Sequence, residues 1–159
     1  MDAGRHWSAA MMNKPPLPNN LKIREFQFPS DYPQVLELWK HAGPGIQLRK
    51  SDESEEIQKK VEHDPDLFLV AEMDGSIIGT VMGGFDGRRG MVYHLAVAHS
   101  NRQKGIGKLL MNELEKRMAQ KGCLRSYLLV TRDNIEAIQL YESTGWEQMD
   151  LLVYGKDLT

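Results

Sequence analysis

Cysteine is nearly absent from this chain, and its scarcity excludes two classes of protein. The 159 residues include one cysteine, Cys123, so neither an intramolecular disulfide framework nor a cysteine-rich metal site can form. A basic excess is also missing, because 20 Lys and Arg stand against 22 Asp and Glu, which gives a formal net charge of −2. Such a balance does not favour binding to a nucleic-acid backbone. We therefore expect a cytoplasmic protein with no metal and no nucleic-acid partner.

Long hydrophobic runs are missing as well. Residues 1–20 contain no apolar core of signal-peptide length, and no later stretch approaches the length of a membrane span. We therefore expect no membrane partner. Pro15, Pro16 and Pro18 indicate that residues 1–20 are a flexible leader or an expression remnant. The length of the remainder predicts a single domain over residues 21–159.

The most informative segment is residues 91–118, which pass from a β-branched and aromatic run through a polar, glycine-bearing turn into an amphipathic helix. Free backbone N–H groups, the positive end of the helix dipole and cationic side chains meet where such a helix begins. The pattern therefore predicts an anion site suited to a pyrophosphate. Its residues are Arg102, Gln103, Lys104, Gly105, Ile106, Gly107 and Lys108.

Spacing argues against two common glycine-loop families at this turn. A P-loop requires a glycine at position 102 and a Ser or Thr after Lys108, where this chain has Arg102 and Leu109. A dinucleotide-binding fingerprint requires a third glycine at position 110, which is Leu110. The pattern that remains is Arg-x-x-Gly-x-Gly between a strand and a helix.

A second motif follows downstream. Asn134 precedes Tyr141 by seven residues, and the Gly145-Trp146 pair comes next. Taken in this order, the two motifs resemble the acyl-CoA loop and the second cofactor motif of the GCN5-related N-acetyltransferase (GNAT) superfamily. The likeness covers residues 21–158 and is strongest to small bacterial or archaeal members.

The resemblance implies a fold and a cofactor. It implies an α/β (α+β) architecture, in which a mixed, mainly antiparallel central sheet of about seven strands is flanked by about four helices. It implies binding of acetyl-CoA, with backbone amides of Leu95, Ala96 and Val97 on a bulged strand facing the pantetheine and the thioester oxygen. It also implies that Asn134, which can cap a helix as well, bonds the amide arm, and that Tyr141 is the general acid.

Periodicity and turn signals independently predict a similar order of elements. A helix capped by Ser30 or Asp31 is expected to end near His41, and another to begin near Ser51 with Asp52 and Glu55 as a capping box. Asp74-Gly75 predicts a hairpin turn. The predicted strands are residues 21–26, 67–73, 76–85, 91–98 and 124–131, with a final hairpin over 146–149 and 151–156; two later helices are predicted over 105–121 and 134–143.

The general base is less clear from the sequence. Ribosomal-protein alanine acetyltransferases, a similar branch, carry a glutamate at the position that is Leu129 here. We favour Tyr93 slightly over His94, because some arylalkylamine acetyltransferases place a histidine at the position matching Tyr93. Strand alternation predicts opposite faces for these two side chains. Three further candidates are Glu37, His41 and Glu72.

The leading hypothesis is an acetyl-CoA-dependent N-acetyltransferase in which an amine attacks the thioester directly in a ternary complex. The acceptor is expected to be an amine-bearing small molecule, a peptide or protein N-terminus, or a lysine. Its slot should lie beside the loop over residues 41–49, where Arg49 and Lys50 could favour an acidic acceptor. Two alternatives are an acyl-CoA sensor without turnover and a structural interaction domain. A homodimer is compatible with the sequence.

Overall fold

A five-stranded sheet organises residues 17–159, the part of the chain that the computed structural model describes. The strands lie side by side in chain order, with the first three pairings antiparallel and the last one parallel. They are β1 (Leu21–Glu25), β2 (Phe68–Met73), β3 (Ser76–Phe85), β4 (Gly90–Val97) and β5 (Ser126–Leu128). The mixed, mainly antiparallel fold class is thereby confirmed.

The turn between β2 and β3 forms as its sequence predicts. Asp74 and Gly75 both adopt positive φ, at 52° and 78°, which is the conformation that a two-residue type I′ hairpin turn requires. Because the register of a hairpin is set by its turn, this pair aligns β2 with β3.

Four α-helices flank the sheet within the described residues. They are α1 (Tyr32–Lys40), α2 (Ser54–His63), α3 (Ile106–Gln120) and α4 (Ile135–Ser143), and two short 3₁₀ turns cover Lys50–Asp52 and His99–Asn101. Helix α3 ends as predicted, because Gly122 takes a φ of 95° just beyond it. The four helices agree with the expected number.

The core has two layers, one on each face of the sheet. Trp39 of α1 and Ile57 of α2 pack on one face, and Leu110 and Leu114 of α3 pack on the other. All four side chains are at most 1 % exposed. Burial on both faces fixes the register of the strands that carry the site. A shift of one residue would move each side chain to the opposite face of the sheet.

Two predicted helix caps are wrong. Asp31 precedes α1 but makes no side-chain cap; its carboxylate instead accepts bonds from Arg24 and from the N–H of Gln27. Asp52 does not pair with Glu55 in a capping box, because α2 begins only at Ser54. The Asp52 carboxylate accepts from the backbone N–H of Arg49 at 3.0 Å. In both cases a partner outside the helix competes with the cap.

The end of the chain differs most from the prediction. The strand expected over 124–131 and buried on both faces is limited to Ser126–Leu128, and Leu129 is 61 % exposed. The expected hairpin over 146–156 forms no strands. The residues of the expected hairpin would have to pair with the backbone of a neighbouring strand. β5, with three residues, offers few backbone groups for such pairing. The sheet therefore has five strands, where about seven were expected. The predicted leader, residues 1–20, lies mostly outside the described residues.

Candidate active site

Strand β4 carries a β-bulge at His94 and Leu95. Thr80 of β3 lies opposite Ala96 and Met82 opposite Tyr93, so the single residue between them on β3 faces two residues of β4. His94 adopts a φ of 49°, a left-handed conformation that costs a non-glycine residue about 1–3 kcal/mol. Such bulges re-aim side chains and backbone groups next to functional sites.

The bulge corrects one expectation about side-chain direction. Tyr93 lies opposite Met82, which packs in the same core layer as Trp39. The His94 ring also contacts Trp39, with ring centroids 4.8 Å apart in an edge-on arrangement. Tyr93 and His94 therefore share the α1 and α2 face, because the extra residue interrupts the alternation that predicted opposite faces.

The parallel pairing of β4 with β5 stops just before the bulge. β5 pairs only with Gly90, Met91 and Val92, so the rest of β4 has no neighbour on that side among the described residues. Ala98 N–H donates to the Ile78 carbonyl on β3 at 2.7 Å. In an antiparallel ladder successive N–H groups point to opposite sides, so the N–H of Val97 faces this opening. Leu95 and Ala96 lie along the same edge.

A loop with free backbone donors lies at the end of this edge. Gln103 and Gly105 take positive φ values of 62° and 83°, and the first helical bond of α3 runs from Leu109 N–H to the Gly105 carbonyl at 3.0 Å. Gly105 provides no side-chain cap, and the first turn of α3 holds no acidic residue. The N–H groups of Ile106, Gly107 and Lys108 thus have no acceptor within the described part of the chain. Three such donors at a positive helix end are suited to binding an anion.

Gly107 lies close to side chains of two neighbouring elements. A Cβ at this position would lie 3.1 Å from Leu140 Cδ2 of α4 and 3.8 Å from Val97 Cγ2. The start of α3 is therefore pressed between β4 and α4, and this fixes the free donors relative to the β4 opening.

The cationic side chains of this loop have different roles. Arg102 donates from Nε to the Val97 carbonyl at 3.1 Å and from Nη2 to the Ala42 carbonyl at 2.9 Å, and its Nη1 lies 3.7 Å from Glu136. Its side chain thus joins three elements. Lys104 and Lys108 are exposed, and they make no ion pair with any described residue. Their charge is available to an anion.

Asn134 is the N-cap of α4. Its Oδ1 accepts from Ala137 N–H at 3.3 Å, as expected for a capping asparagine. The loop after α1 lies against its side chain, because a Cβ on Gly45 would come within 2.2 Å of Asn134 Nδ2. The loop over residues 41–49 therefore reaches α4.

Tyr141 lies on α4 with its ring against Trp146, at a centroid distance of 6.3 Å. Burial raises the pKa of Tyr141 to about 12, so its phenol is protonated at neutral pH. Its hydroxyl has no hydrogen-bond partner among residues 17–159. An unpaired phenol O–H is a donor available to a ligand.

Sequence reasoning missed the partner of His94. His94 Nε2 lies 2.7 Å from Asp52 Oδ1, and the Asp52 residue is 6 % exposed. Burial pushes the pKa of Asp52 upward, but hydrogen bonds from His94 and from the backbone N–H of Arg49 outweigh it and hold the pKa below its ordinary value. The two residues are 42 positions apart in the sequence. Only the tendency of a carboxylate to pair with an imidazole could have suggested the contact.

The other candidate bases lie elsewhere. Glu72 bonds Arg24 at 3.0 Å beside β1, away from the β4 opening. His41 bonds the Glu37 carbonyl on the exposed side of α1. Arg49 and Lys50 are exposed at the turn that carries Asp52.

The sequence of this chain is similar to that of known acetyltransferases. Residues 32–146 match the model of the Acetyltransferase (GNAT) family. The chain belongs to the GNAT family. An acetyltransferase of Yersinia enterocolitica is 41 % identical over 138 residues, which cover 87 % of this chain and 96 % of the relative. An acetyltransferase of Pectobacterium atrosepticum has the same identity and coverage. The resemblance predicted from the two motifs is confirmed.

Solved structures agree with the GNAT assignment. The PaiA N-acetyltransferase of Thermoplasma acidophilum, in complex with coenzyme A, superposes with a TM-score of 0.72 at 25 % identity, covering 82 % of this chain and 92 % of that one. An aminoglycoside acetyltransferase from an uncultured soil metagenomic sample gives a TM-score of 0.69 at 22 % identity, covering 89 % and 100 %. The second likeness shows the GNAT fold alone.

Two features are absent from the part of the chain that the structure describes. No helix within residues 17–159 has the length and apolar character needed to cross a bilayer. Over the same residues, no three His, Cys, Asp or Glu side chains are grouped so that they could hold a metal ion.

Proposed function

We propose that this GNAT protein is an acetyl-CoA-dependent N-acetyltransferase, in which a primary amine attacks the thioester directly in a ternary complex. One observation carries the proposal: the free N–H groups that open α3 lie at the end of the β4 edge that β5 leaves unpaired. Donors for an anion and donors for a carbonyl oxygen are therefore next to each other. Acetyl-CoA carries one group of each kind, a pyrophosphate and a thioester.

The residues at the start of α3 would hold the pyrophosphate. The N–H groups of Ile106, Gly107 and Lys108 are directed donors, and Gly105 permits close approach of the backbone. Lys104 and Lys108 would add positive charge. Arg102 and Gln103 would shape the loop, the former through its contacts to two carbonyls and the latter through its left-handed backbone.

The bulged part of β4 would hold the reacting group. Backbone groups along the Leu95, Ala96 and Val97 edge would bond the pantetheine, and the Val97 N–H, which faces the opening, would stabilise the oxygen that becomes negative during attack. Such donors are fixed before the reaction begins, because β3 holds the other side of the strand. Asn134 would bond the amide arm through Nδ2, since its Oδ1 already caps α4.

Tyr141 would assist departure of the thiolate. With a pKa of about 12, its phenol is a weaker acid than a thiol, whose ordinary pKa is about 8.5. Its first contribution would therefore be a hydrogen bond to the sulfur as negative charge develops, and its proton would pass to the thiolate as solvent reprotonates the phenol. Tyr93, on the acceptor side of β4, would contact the incoming amine.

The acceptor we propose is a primary amine on a small molecule or at a peptide or protein N-terminus, or a lysine side chain. The loop over residues 41–49 would border its slot. One of the structural relatives is an aminoglycoside acetyltransferase, which makes aminoglycosides a reasonable part of an acceptor panel beside polyamines and peptides.

Calorimetric titration with acetyl-CoA tests the proposal, with NADH and ATP as controls for the two glycine-loop families that spacing disfavours. Saturable one-to-one binding of acetyl-CoA alone is the expected result. Release of free thiol with spermidine, kanamycin or a short peptide would then establish turnover. Binding with no turnover across the panel would favour a sensor, and no binding by a folded sample would overturn the proposal.

A further inference from the structure

The contact between Asp52 and His94 is held in place by several hydrogen bonds. Both carboxylate oxygens of Asp52 are occupied, since Oδ1 meets His94 Nε2 and Oδ2 accepts from Arg49 N–H. The Asp52 carbonyl accepts from the Tyr32 hydroxyl at 2.9 Å. A buried carboxylate in a short turn is thus fixed from three sides and aimed at a single imidazole.

The imidazole is fixed as firmly as the carboxylate. The Trp39 ring packs against it, and Trp39 Nε1 donates to Thr80 Oγ1 at 3.0 Å. The Thr80 hydroxyl in turn donates to the His94 carbonyl at 3.2 Å. These bonds hold the ring and also the left-handed backbone of the bulge, so His94 is preorganised in a strained conformation.

The tautomer of His94 follows from this arrangement. An ionised Asp52 can only accept, so in the neutral form of His94 the Nε2 carries the proton and Nδ1 keeps its lone pair. His94 Nδ1 has no partner among the described residues, and the side chain is 21 % exposed. A neutral imidazole with one free, partly exposed nitrogen is suited to general-base catalysis.

We propose that the Asp52–His94 pair is the general base for the acceptor amine, with His94 Nδ1 taking the proton and Asp52 acting as the positioning residue. This inference rests on the proposed function. His94 is adjacent in sequence to Leu95, the first residue of the edge assigned to the thioester, and this places a base next to the reacting carbonyl. His94 therefore replaces Tyr93 as the base, and Tyr93 keeps a contact role.

The proton balance closes. As the amine nitrogen bonds to the carbonyl carbon, its proton passes to His94 Nδ1; the carbon–sulfur bond then breaks, and the thiolate takes a proton from Tyr141. Exchange with solvent returns the proton from His94 to the phenolate of Tyr141. Asp52 stabilises the imidazolium in between, without changing its own protonation state.

Several other charged or titratable groups face this pair. Tyr32 of α1 and Arg49 beside the 3₁₀ turn contact Asp52, and Lys40 and Glu53 lie near Tyr32. Tyr93 shares the face of β4, and burial raises its pKa, so it stays neutral where imidazoles titrate. None of them bonds to His94.

The test compares wild type with His94→Gln and Asp52→Asn, with His63→Gln as control because His63 is exposed at the end of α2. The assay uses acetyl-CoA with whichever of spermidine, kanamycin or the short peptide turns over fastest. We expect His94→Gln to lower kcat about 10²–10⁴-fold near neutral pH while acetyl-CoA affinity stays within about twofold. The deficit should shrink as the pH approaches the amine's own pKa, about 10, because deprotonated amine needs no base.

A readout that needs no acceptor tests the positioning role of Asp52. In ¹⁵N-resolved spectra of the wild-type ring, His94 should carry its proton on Nε2, and Asp52→Asn should lose this preference. In the separate assay with an acceptor, Asp52→Asn should lower kcat at least about tenfold. Wild-type activity in His94→Gln across the pH range would overturn the base assignment and leave the acetyltransferase proposal intact. No turnover by wild type with any amine would overturn both.

Discussion

The Arg102 guanidinium bonds the Ala42 carbonyl at 2.9 Å and so joins the loop after α1 to the loop that opens α3. The same side chain bonds the Val97 carbonyl at the end of β4. One residue therefore joins the loop after α1, the end of β4 and the start of α3, which are the proposed acceptor side, thioester edge and anion site. In the motif Arg-x-x-Gly-x-Gly, the arginine has a structural task beside any contact with a phosphate.

Because of these contacts, Arg102→Ala should mainly lower stability, whereas Lys104→Ala should mainly weaken acetyl-CoA binding. Loss of the Arg102 guanidinium leaves two carbonyls without their donor, so the free energy of unfolding should fall by about 1–3 kcal/mol. Lys104 is exposed, and its removal should leave unfolding unchanged while weakening acetyl-CoA binding. Urea denaturation and calorimetry at low and high salt measure both. Equal stability of the two variants would contradict the role assigned to Arg102.

Gly105→Ala should damage the anion site in a way that Gly122→Ala does not. Both glycines have positive φ, 83° and 95°, at opposite ends of α3, so either alanine should cost about 1–2 kcal/mol of stability. Only Gly105 borders the free N–H groups. We expect a loss of acetyl-CoA affinity in Gly105→Ala alone, measured by calorimetry beside thermal melting. Similar affinities in the two variants would argue against a cofactor site at this helix start.

The fold was largely predictable from the sequence wherever local chemistry decides the structure. The Asp74-Gly75 turn, the Gly105 start and the Gly122 end of α3 form as their residue types require, because positive φ is a local demand. The two motifs also predicted the family, since each depends on spacing within one loop and one helix.

Long-range contacts were the part that could not be predicted. Asp31 and Asp52 are of a residue type that commonly caps helices, and they stand where helices were predicted to begin. Their carboxylates instead bond Arg24 and His94, respectively. The family resemblance implied a bulge in this strand, but the apolar strand residues do not show that the bulge turns His94 toward Asp52, because that direction depends on pairing with β3. A strand over residues 146–156 fits the pattern of side chains, but a three-residue β5 gives it no edge.

The contact between Arg24 and Asp31 predicts a pH dependence of stability. Burial pushes the pKa of Asp31 upward, but the bonds from Arg24 and from the Gln27 N–H outweigh it and leave the pKa lowered. A carboxyl whose pKa is lower in the folded state contributes stability above its unfolded pKa, about 3.9, and loses it as the pH falls through the folded value.

Asp31→Asn should therefore lower the free energy of unfolding by about 2 kcal/mol at neutral pH. The difference from wild type should shrink as the pH falls below about 3.9, the ordinary pKa of the carboxyl, and through the lowered pKa of the folded state. Urea denaturation at several pH values measures this, with Asp157→Asn as control because Asp157 is exposed. A constant difference across the pH range would mean that Asp31 acts through packing and not through its charge.

Tyr141→Phe tests the leaving-group step independently of the base. The phenol ring packs against Trp146, and phenylalanine keeps that packing, so stability and acetyl-CoA affinity should change little. Loss of the O–H should lower kcat about 10²–10⁴-fold, since the hydroxyl has no described partner that would make it structural. Steady-state kinetics of free-thiol release gives kcat, and Tyr154→Phe is the control because Tyr154 is 87 % exposed. Full activity in Tyr141→Phe would show that Tyr141 is not the general acid, and that water or another group protonates the thiolate.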